Sequence, residues 1–409
     1  MHIEELTLER FEEFVSKHPL KNYCQTINYG IMMGQYDYDY EFIGLVENNR
    51  IYAASLMLTK RVGHKMYFAY APKGFLIDYT NKDLFQEFVT LLKDYYKKRN
   101  FVFIKINPEI AIGEVNKKTF NTQYNNNYQI NKTLQESGFT NISANEDFDE
   151  TLFPTFTSIV SLKNFGIQSI SKNTRNKVRK GIRMGLHTEL GSIDDIKNIK
   201  KYMPKIDDFY YDDFYNAFKK DNLVDLFLIY IEPEDYLINA QQAYTEEAER
   251  NSYLNKKMIE AHQNNHNINK KMNSDRALLS YKNEIVEASK MLSNKKRIYI
   301  GAAMTVKDGA RVHIIASGYD KNFKHFVPNY YLYYSIMNYY KNDFAYIDLN
   351  GMSKDFSKTG KYYGVNNFKL GFNPKVYELI GEHDLILSSN NYKILFDNTF
   401  ISNILKKIK

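Results

Sequence analysis

The sequence predicts a mixed α/β protein in which one small unit is used twice, with a pair of helices inserted into the second copy. Three observations carry that prediction. Residues 50–57 read RIYAASLM and residues 297–304 read RIYIGAAM; later, FVFIKINP at 101–108 is answered by FAYIDLNG at 344–351. Each of the later pair follows a Tyr-rich stretch, with Tyr95-Tyr96-Lys97 in one copy and Tyr339-Tyr340-Lys341 in the other, so the landmarks recur in the same order. A chain of 409 residues also exceeds what one ordinary core organises. Finally, residues 235–294 occupy a place where the first copy has only Asn48-Asn49.

In chain order, residues 41–47, 50–60 and 65–71 read as strands, rich in β-branched and aromatic residues and separated by turn signals at Asn48-Asn49 and Gly63. A helix follows over 83–98, because Leu84, Phe88, Leu91, Leu92 and Tyr95 recur at helical spacing, and then a strand over 101–107. The second unit repeats this with strands at 225–231, 297–306 and 311–316, a hairpin signal at Asp308-Gly309, a helix at 329–341 and a strand at 344–349. The insert carries two apolar stripes. Leu237, Ala240, Tyr244, Leu254 and Met258 form one, interrupted by Glu247 and Asn251; Leu278, Tyr281, Ile285, Ala288 and Leu292 form the other. The polar run HQNNHNINKKMNS at 262–274 reads as the turn between them. The insert is therefore an antiparallel helical hairpin, an arm reaching roughly 35–40 Å at about 1.5 Å per residue. Its helices are expected to bury mainly each other, as a structural arm or as a surface for RNA or a partner. The order of three strands, helix and strand is similar to that of the N-acetyltransferase-like (GNAT) superfamily. The fold class is thus α/β (α+β), with two tandem subdomains of that kind: 1–150, then 151–234 with 295–384, and the arm at 235–294.

With 44% hydrophobic and 25% charged residues the composition is that of a soluble globular protein. No run approaches the roughly 20 apolar residues of a membrane span. The opening MHIEELTLERFEEF is acidic and amphipathic, so no signal peptide is expected, and a single cysteine, Cys24, excludes an internal disulfide framework and fits the cytoplasm. The net charge of +7 is unevenly spread. Residues 171–185 hold Lys172, Arg175, Lys177, Arg179, Lys180 and Arg183 without one acid. Arg175, Arg179 and Arg183 share a helix face, where like charges cost a few tenths of a kcal/mol per pair. A phosphate-bearing partner such as RNA relieves that repulsion; a solvated surface helix is the plainer alternative.

Acyl-CoA enzymes of this superfamily bind pyrophosphate through a Gly-rich loop ahead of the helix. Neither YAPKGFLIDYTNKD at 70–83 nor SGYDKNFKHFVPNY at 317–330 has one, so acyl-CoA is disfavoured and no cofactor is expected. His262 and His266 stand at i and i+4 but lack the Glu of a metalloprotease motif, so no metal is expected either. Cys24 has no neighbouring His or Lys to activate it and reads as a buried small hydrophobe.

Several segments together resemble the FemA/FemB/FemX family of peptidoglycan bridge-forming aminoacyltransferases, FemA-like members above all. CQTINYG at 24–30 is similar to the family's Q-S-x-x-Y/W motif, YAPKG at 70–74 to its Y-x-x-R-G-P turn, and KINP at 105–108 to a segment ending in Asp-Pro. NTRNKVRKG falls where the family has a basic segment; FKHFVPNYYLYYSIMNYY (323–340), DLNG (348–351) and VNNFKLGFNP (365–374) resemble its C-terminal signature. The resemblance implies two subdomains facing a cleft, with residues 385–409 packing back on the first. It implies transfer of an amino acid, glycine by the FemA likeness, from aminoacyl-tRNA to the stem-peptide amine of a lipid-linked or UDP-linked muramyl peptide. Peripheral contact with the inner membrane surface, and association with itself or related transferases, go with it.

Matched residue by residue, Lys369 would position the donor or stabilise developing charge, with Phe368 against the tRNA end. Gln25, Tyr70, Lys73, Tyr330 and Tyr363, together with Arg175, Lys177, Arg179, Lys180 and Arg183, form the substrate and tRNA set. Lys369 is read here on a strand. Two departures stand out: Met33 replaces a basic residue often found after the first motif, and Asn107 replaces the Asp, an amide that cannot act as a base. Asp348 is the substitute base, or else a turn-holding carboxylate. Transfer to a protein N-terminus, and a silent RNA-binding or scaffold protein of the same fold, are the alternatives.

Overall fold

The computed structural model describes residues 1–143, 150–205, 210–260, 265–293 and 296–397. Two sheets organise them. The first has seven strands in the order His2–Glu5, Asp39–Glu47, Arg50–Gly63, Met66–Ala71, Phe101–Ile106, His383–Ile386 and Phe139–Asn141. The second has nine, in the order Leu186–Leu190, Val224–Ile231, Ile298–Asp308, Arg311–Tyr319, Tyr346–Met352, Phe156–Ser161, Lys375–Leu379, Ala111–Val115 and Thr122–Tyr124.

The duplicated unit lies at the heart of each sheet. In both copies three antiparallel strands are followed by a helix, and the chain returns parallel to the third: Met66–Ala71 with Phe101–Ile106, and Arg311–Tyr319 with Tyr346–Met352. The crossover helices form for local reasons. Asn81 caps Lys82–Lys97 by accepting from Leu84 N at 3.1 Å, and Phe85, Phe88, Val89, Leu92 and Tyr96 bury the face turned to the first sheet. Pro328 opens Pro328–Tyr340, whose Leu332, Tyr333, Ile336, Met337 and Tyr340 pack into the second core with Ile229 and Ile347.

Connectivity differs from the sequence division in two places. Ala111–Val115 and Thr122–Tyr124, placed with the first subdomain, hydrogen-bond within the second sheet. His383–Ile386 leaves the second subdomain two residues before the expected boundary and inserts between two strands of the first sheet. The helix Ser389–Asp397 follows, and residues 398–409 of the segment expected to pack back lie outside the described residues. An apolar core also runs across the two halves, joining Cys24, Tyr29 and Leu56 to Phe214, Phe218 and Met304. Asn28 Nδ2 to Asp221 Oδ2 and Tyr36 Oη to Asp213 Oδ2, both 2.7 Å, tie the rims.

The arm comprises Pro233–Glu260 and Asn265–Leu292, antiparallel. Of the polar run at 262–274, read as a turn, Asn265 onward is helical and its polarity goes with exposure along the helix; residues 262–264, His262 among them, lie outside the described residues. The two stripe-breakers form a polar layer: Asn251 Nδ2 donates to Ser274 Oγ at 3.0 Å and Asp275 Oδ1 at 2.9 Å, and Ser274 Oγ donates to Glu247. Such a layer fixes register between two helices. The expectation that the helices bury mainly each other fails at the root. Tyr236, Ala240 and Ala288 belong to the second core, and Tyr236 Oη donates to Glu287 Oε2 at 3.0 Å. Gly185, at φ +70°, ends the basic helix Lys172–Arg183 against this root, where a Cβ would sit 2.7 Å from the Glu232 carbonyl oxygen.

Candidate active site

A cleft of about 810 Å³ opens between the halves. Its walls are Tyr23, Tyr29 and Tyr210 on one side, Ile314, Ser317, Tyr319 and the start of the Pro328–Tyr340 helix on another, and Gly364, Val365, Phe368 and Lys369 on a third. Lys324 and Lys369 are its charged lining residues, and no carboxylate lines it among the described residues. The N-terminus of the Pro328–Tyr340 helix faces it, bringing the positive end of that dipole. Asn329 Oδ1, buried there, has no donor partner among the described residues.

Lys369 sits in the last turn of the helix Tyr363–Leu370, not on a strand, and is 7% exposed. Its ammonium donates to the Gly351 carbonyl. Burial lowers its pKa to about 8, against an opposing pull from Asp348. Phe368 packs edge-on against Tyr330 and Tyr333, at 4.9 and 4.8 Å between ring centroids. The helix is seated because Gly371 approaches the basic helix: its carbonyl accepts from Ser171 N at 2.9 Å, and a Cβ on it would collide with Thr174 Oγ1.

Behind the cleft lies a polar chamber of about 30 Å³, lined by Asn22, Tyr23, Lys73, Glu109, Phe153, Thr157, His313, Asp348, Asn350 and Gly351 among others. Tyr23, Phe153, Pro154, Asn350 and Gly351 line both spaces. Asp348 Oδ1 accepts from Thr157 Oγ1 at 2.7 Å and Asn350 N at 2.8 Å, while Oδ2 lies 3.6 Å from His313 Nδ1. Burial would raise its pKa, but His313, Thr157 and Arg311 together bring it down to about 2. The turn-holding reading of Asp348 fits these contacts, since it braces the Asn350 turn; a carboxylate held this low is a poor base, although it lines the chamber. Glu109, 12% exposed, bridges the halves by accepting from Asn22 and Arg311.

The FemAB family profile matches residues 6–396. The chain belongs to the FemAB family. The Lipid II:glycine glycyltransferase of Staphylococcus epidermidis is 25% identical over 407 residues, covering 95% of this chain and 94% of that protein. Aminoacyltransferase FemA of the same species is 24% identical over 417 residues, covering 96% and 98%. The crystal structure of FemX superposes with a TM-score of 0.74 at 20% identity, covering 96% of this chain and 99% of that one, and shares the fold. Like the rest of the family, this chain is an acyltransferase.

Among the FemAB motif residues, the structure sorts those that reach the cleft from those that do not. Phe368, Lys369 and Tyr330 line it, and Lys73 and Asp348 line the chamber. Tyr363 is half-buried on the Lys369 helix, but its neighbours Gly364 and Val365 form the wall instead. Gln25 is not a substrate contact: wholly buried, it donates to Pro72 O at 2.7 Å and accepts from Leu56 N at 2.8 Å, pinning strand to turn. Tyr70 is also buried, and donates to Asn107 Oδ1 at 3.1 Å. Asn107 accepts from Lys73 N as well, at 2.8 Å, so it braces the 70–74 turn, and Met33 packs in the first core. The basic helix divides too. Lys177 turns to the cleft wall, donating to Tyr330 Oη at 2.8 Å, and Arg183 pairs with Glu284 of the arm and stacks 4.8 Å over Tyr281. Arg175 and Arg179 carry no ion pair among the described residues, and Lys180 likewise. Cys24 is wholly buried and burial pushes its thiol up to about 12, so it is inert.

Sequence reasoning missed His313, Glu109 and Arg311. The signal for two of them was present: Arg311 and His313 alternate with Val312 and Ile314, placing polar side chains on one face of a strand inside the protein.

Proposed function

We propose that this enzyme moves an aminoacyl group, glycine by its likeness to the glycyltransferases, from aminoacyl-tRNA to the stem-peptide amine of a peptidoglycan precursor. The observation that carries the reading is the cleft: aromatic and apolar walls, lysines without acids, ending at the buried Lys369 ammonium. Aromatic faces stack bases, and unopposed cations attract the phosphates of an RNA end. Arg175, Arg179 and Lys180 extend that charge outward on the helix whose Lys177 touches the cleft wall.

An aminoacyl ester is already activated. The amine nitrogen attacks the ester carbonyl carbon, the C–N bond forms, the C–O bond to the ribose breaks, and the ribose oxygen leaves as a hydroxyl. Lys369 would stabilise the oxyanion formed between those events, in a site where burial keeps water from screening it. No helix among the described residues is long and apolar enough to cross a membrane; a lipid-linked acceptor would therefore be met at the membrane face.

The test incubates the purified protein with tRNA carrying labelled glycine and, separately, a lipid-linked precursor, a UDP-linked muramyl peptide and a peptide with a free N-terminus. Label on the stem-peptide amine of either precursor is expected. Label only on the peptide N-terminus, or on none, overturns the assignment.

A further inference from the structure

We propose that His313 is the catalytic base of this site, taking the proton of the acceptor amine with Asp348 as its orienting partner. The inference rests on the transfer reaction proposed above. An acceptor amine reaches the enzyme largely as an ammonium ion and cannot attack until it loses a proton. Asn107 has no basicity to offer, and Lys369 holds its own protons against the Gly351 carbonyl. Asp348 is committed: both donors to Oδ1 and the charges around it hold it as a weak base. An imidazole is the side chain suited to the task near neutrality.

The geometry fits that role. His313 is 7% exposed on the strand Arg311–Tyr319, directly across from Asp348 in the parallel register of Tyr346–Met352. Its Nδ1 faces Asp348 Oδ2, the oxygen that Thr157 and Asn350 leave unused. A carboxylate on that side favours a proton on Nδ1 and leaves the Nε2 lone pair turned away from Asp348. Tyr23 packs edge-on at 5.2 Å and fixes the ring plane. Of the other charges near the imidazole, Asp308 lies 3.8 Å from Lys21 and Arg311 pairs with Glu109, while the Lys73 ammonium on the chamber wall sits 4.5 Å over the Phe153 ring. The chamber His313 lines has room for a single small group such as an amine, and it shares five wall residues with the cleft.

Proton bookkeeping closes. The first proton of the ammonium passes to Nε2 and on to solvent. The second leaves the nitrogen as the C–N bond forms, returns to the same imidazole, and moves to the ribose oxygen as the ester bond breaks. One proton is released per transfer.

The decisive variants are His313→Gln and His313→Ala in the labelled transfer assay, with folding checked by thermal melting. His313→Gln should lower kcat at least ~100-fold with little change in KM, the scale of general-base catalysis, and added imidazole should restore part of the activity of His313→Ala. Near-wild-type turnover in His313→Gln, or a loss in His313→Ala that imidazole leaves untouched, overturns the proposal. A second measurement needs no substrate: the nitrogen NMR signals of His313 in the folded wild type, assigned by their absence in His313→Gln. A protonated Nδ1 with bare Nε2, altered in Asp348→Asn, is expected; a proton fixed on Nε2 overturns the dyad. Should the wild type fail to transfer glycine to any acceptor, the donor-acceptor reading falls, and the tautomer still decides the dyad.

Discussion

The two copies of the repeated unit place different chemistry at the same address. In the first, Tyr70 stands across from Lys105 in the parallel register, as His313 stands across from Asp348 in the second. Lys105 is 1% exposed and donates to Asp384 at 2.7 Å, with Glu382 at 3.8 Å; Tyr70 is spent on Asn107, and Gln25 plugs the space above. In the second copy Asp348 and Asn350 border a chamber that shares five wall residues with the cleft, with Lys369 arriving from elsewhere in the chain. One copy has closed around a neutralised charge and serves as scaffold; the other has kept a charged strand end open. Duplication lets a fold separate stability from chemistry, and the identity of one residue in FVFIKINP against FAYIDLNG marks the division.

The contrast can be broken at either address. Lys105→Met should leave the buried Asp384 and Glu382 without their cation, costing about 3–5 kcal/mol of stability by denaturant titration while turnover per folded molecule survives. Lys369→Met should do the reverse, keeping the fold while losing up to ~100-fold in rate. Because burial brings the Lys369 ammonium down to about 8, the wild-type rate should fall as pH rises through that value and the charge is lost. Lys369→Arg keeps its charge there, so its smaller residual activity should show no such limb. An alkaline limb unchanged in the arginine variant would assign it to another group.

The smallest effect lies outside both sheets. Arg175→Gln with Arg179→Gln should weaken tRNA binding and flatten its salt dependence by up to ~0.7–0.9 in log-log slope per lost phosphate contact. Arg183→Gln should leave that slope alone and instead loosen the arm, read as faster amide exchange around Glu284. Equal salt slopes for the two sets would erase the distinction between them.

Much of the fold was legible because strands and helices write their period into neighbouring residues. The β-β-β-α-β order in both copies and the arm's insertion point needed no contact beyond a turn. What escaped depends on partners far along the chain. Gln25 meets Pro72, 47 residues away, and Arg183 meets Glu284, 101 residues away. Neither the plug nor the tether has a local signature, so both residues read as surface contacts for a substrate. The role of His313 was hidden for another reason. Alternation of Arg311 and His313 with Val312 and Ile314 marks a polar strand face, but it assigns no chemistry until the carboxylate across the sheet is known.

The strand His383–Ile386 lies between Phe101–Ile106 and Phe139–Asn141, completing the first sheet from near the far end of the chain. During synthesis the amino-terminal half therefore emerges from the ribosome with a gap beside the sheet's edge strand, Phe139–Asn141. Phe101–Ile106 must wait with one edge unpaired, and Lys105 without Asp384, while more than two hundred residues are still being added. An unpaired apolar strand edge is a ready template for another chain. The nascent protein is most exposed to mispairing late in translation, and a chaperone that shields this edge would act on the half made first.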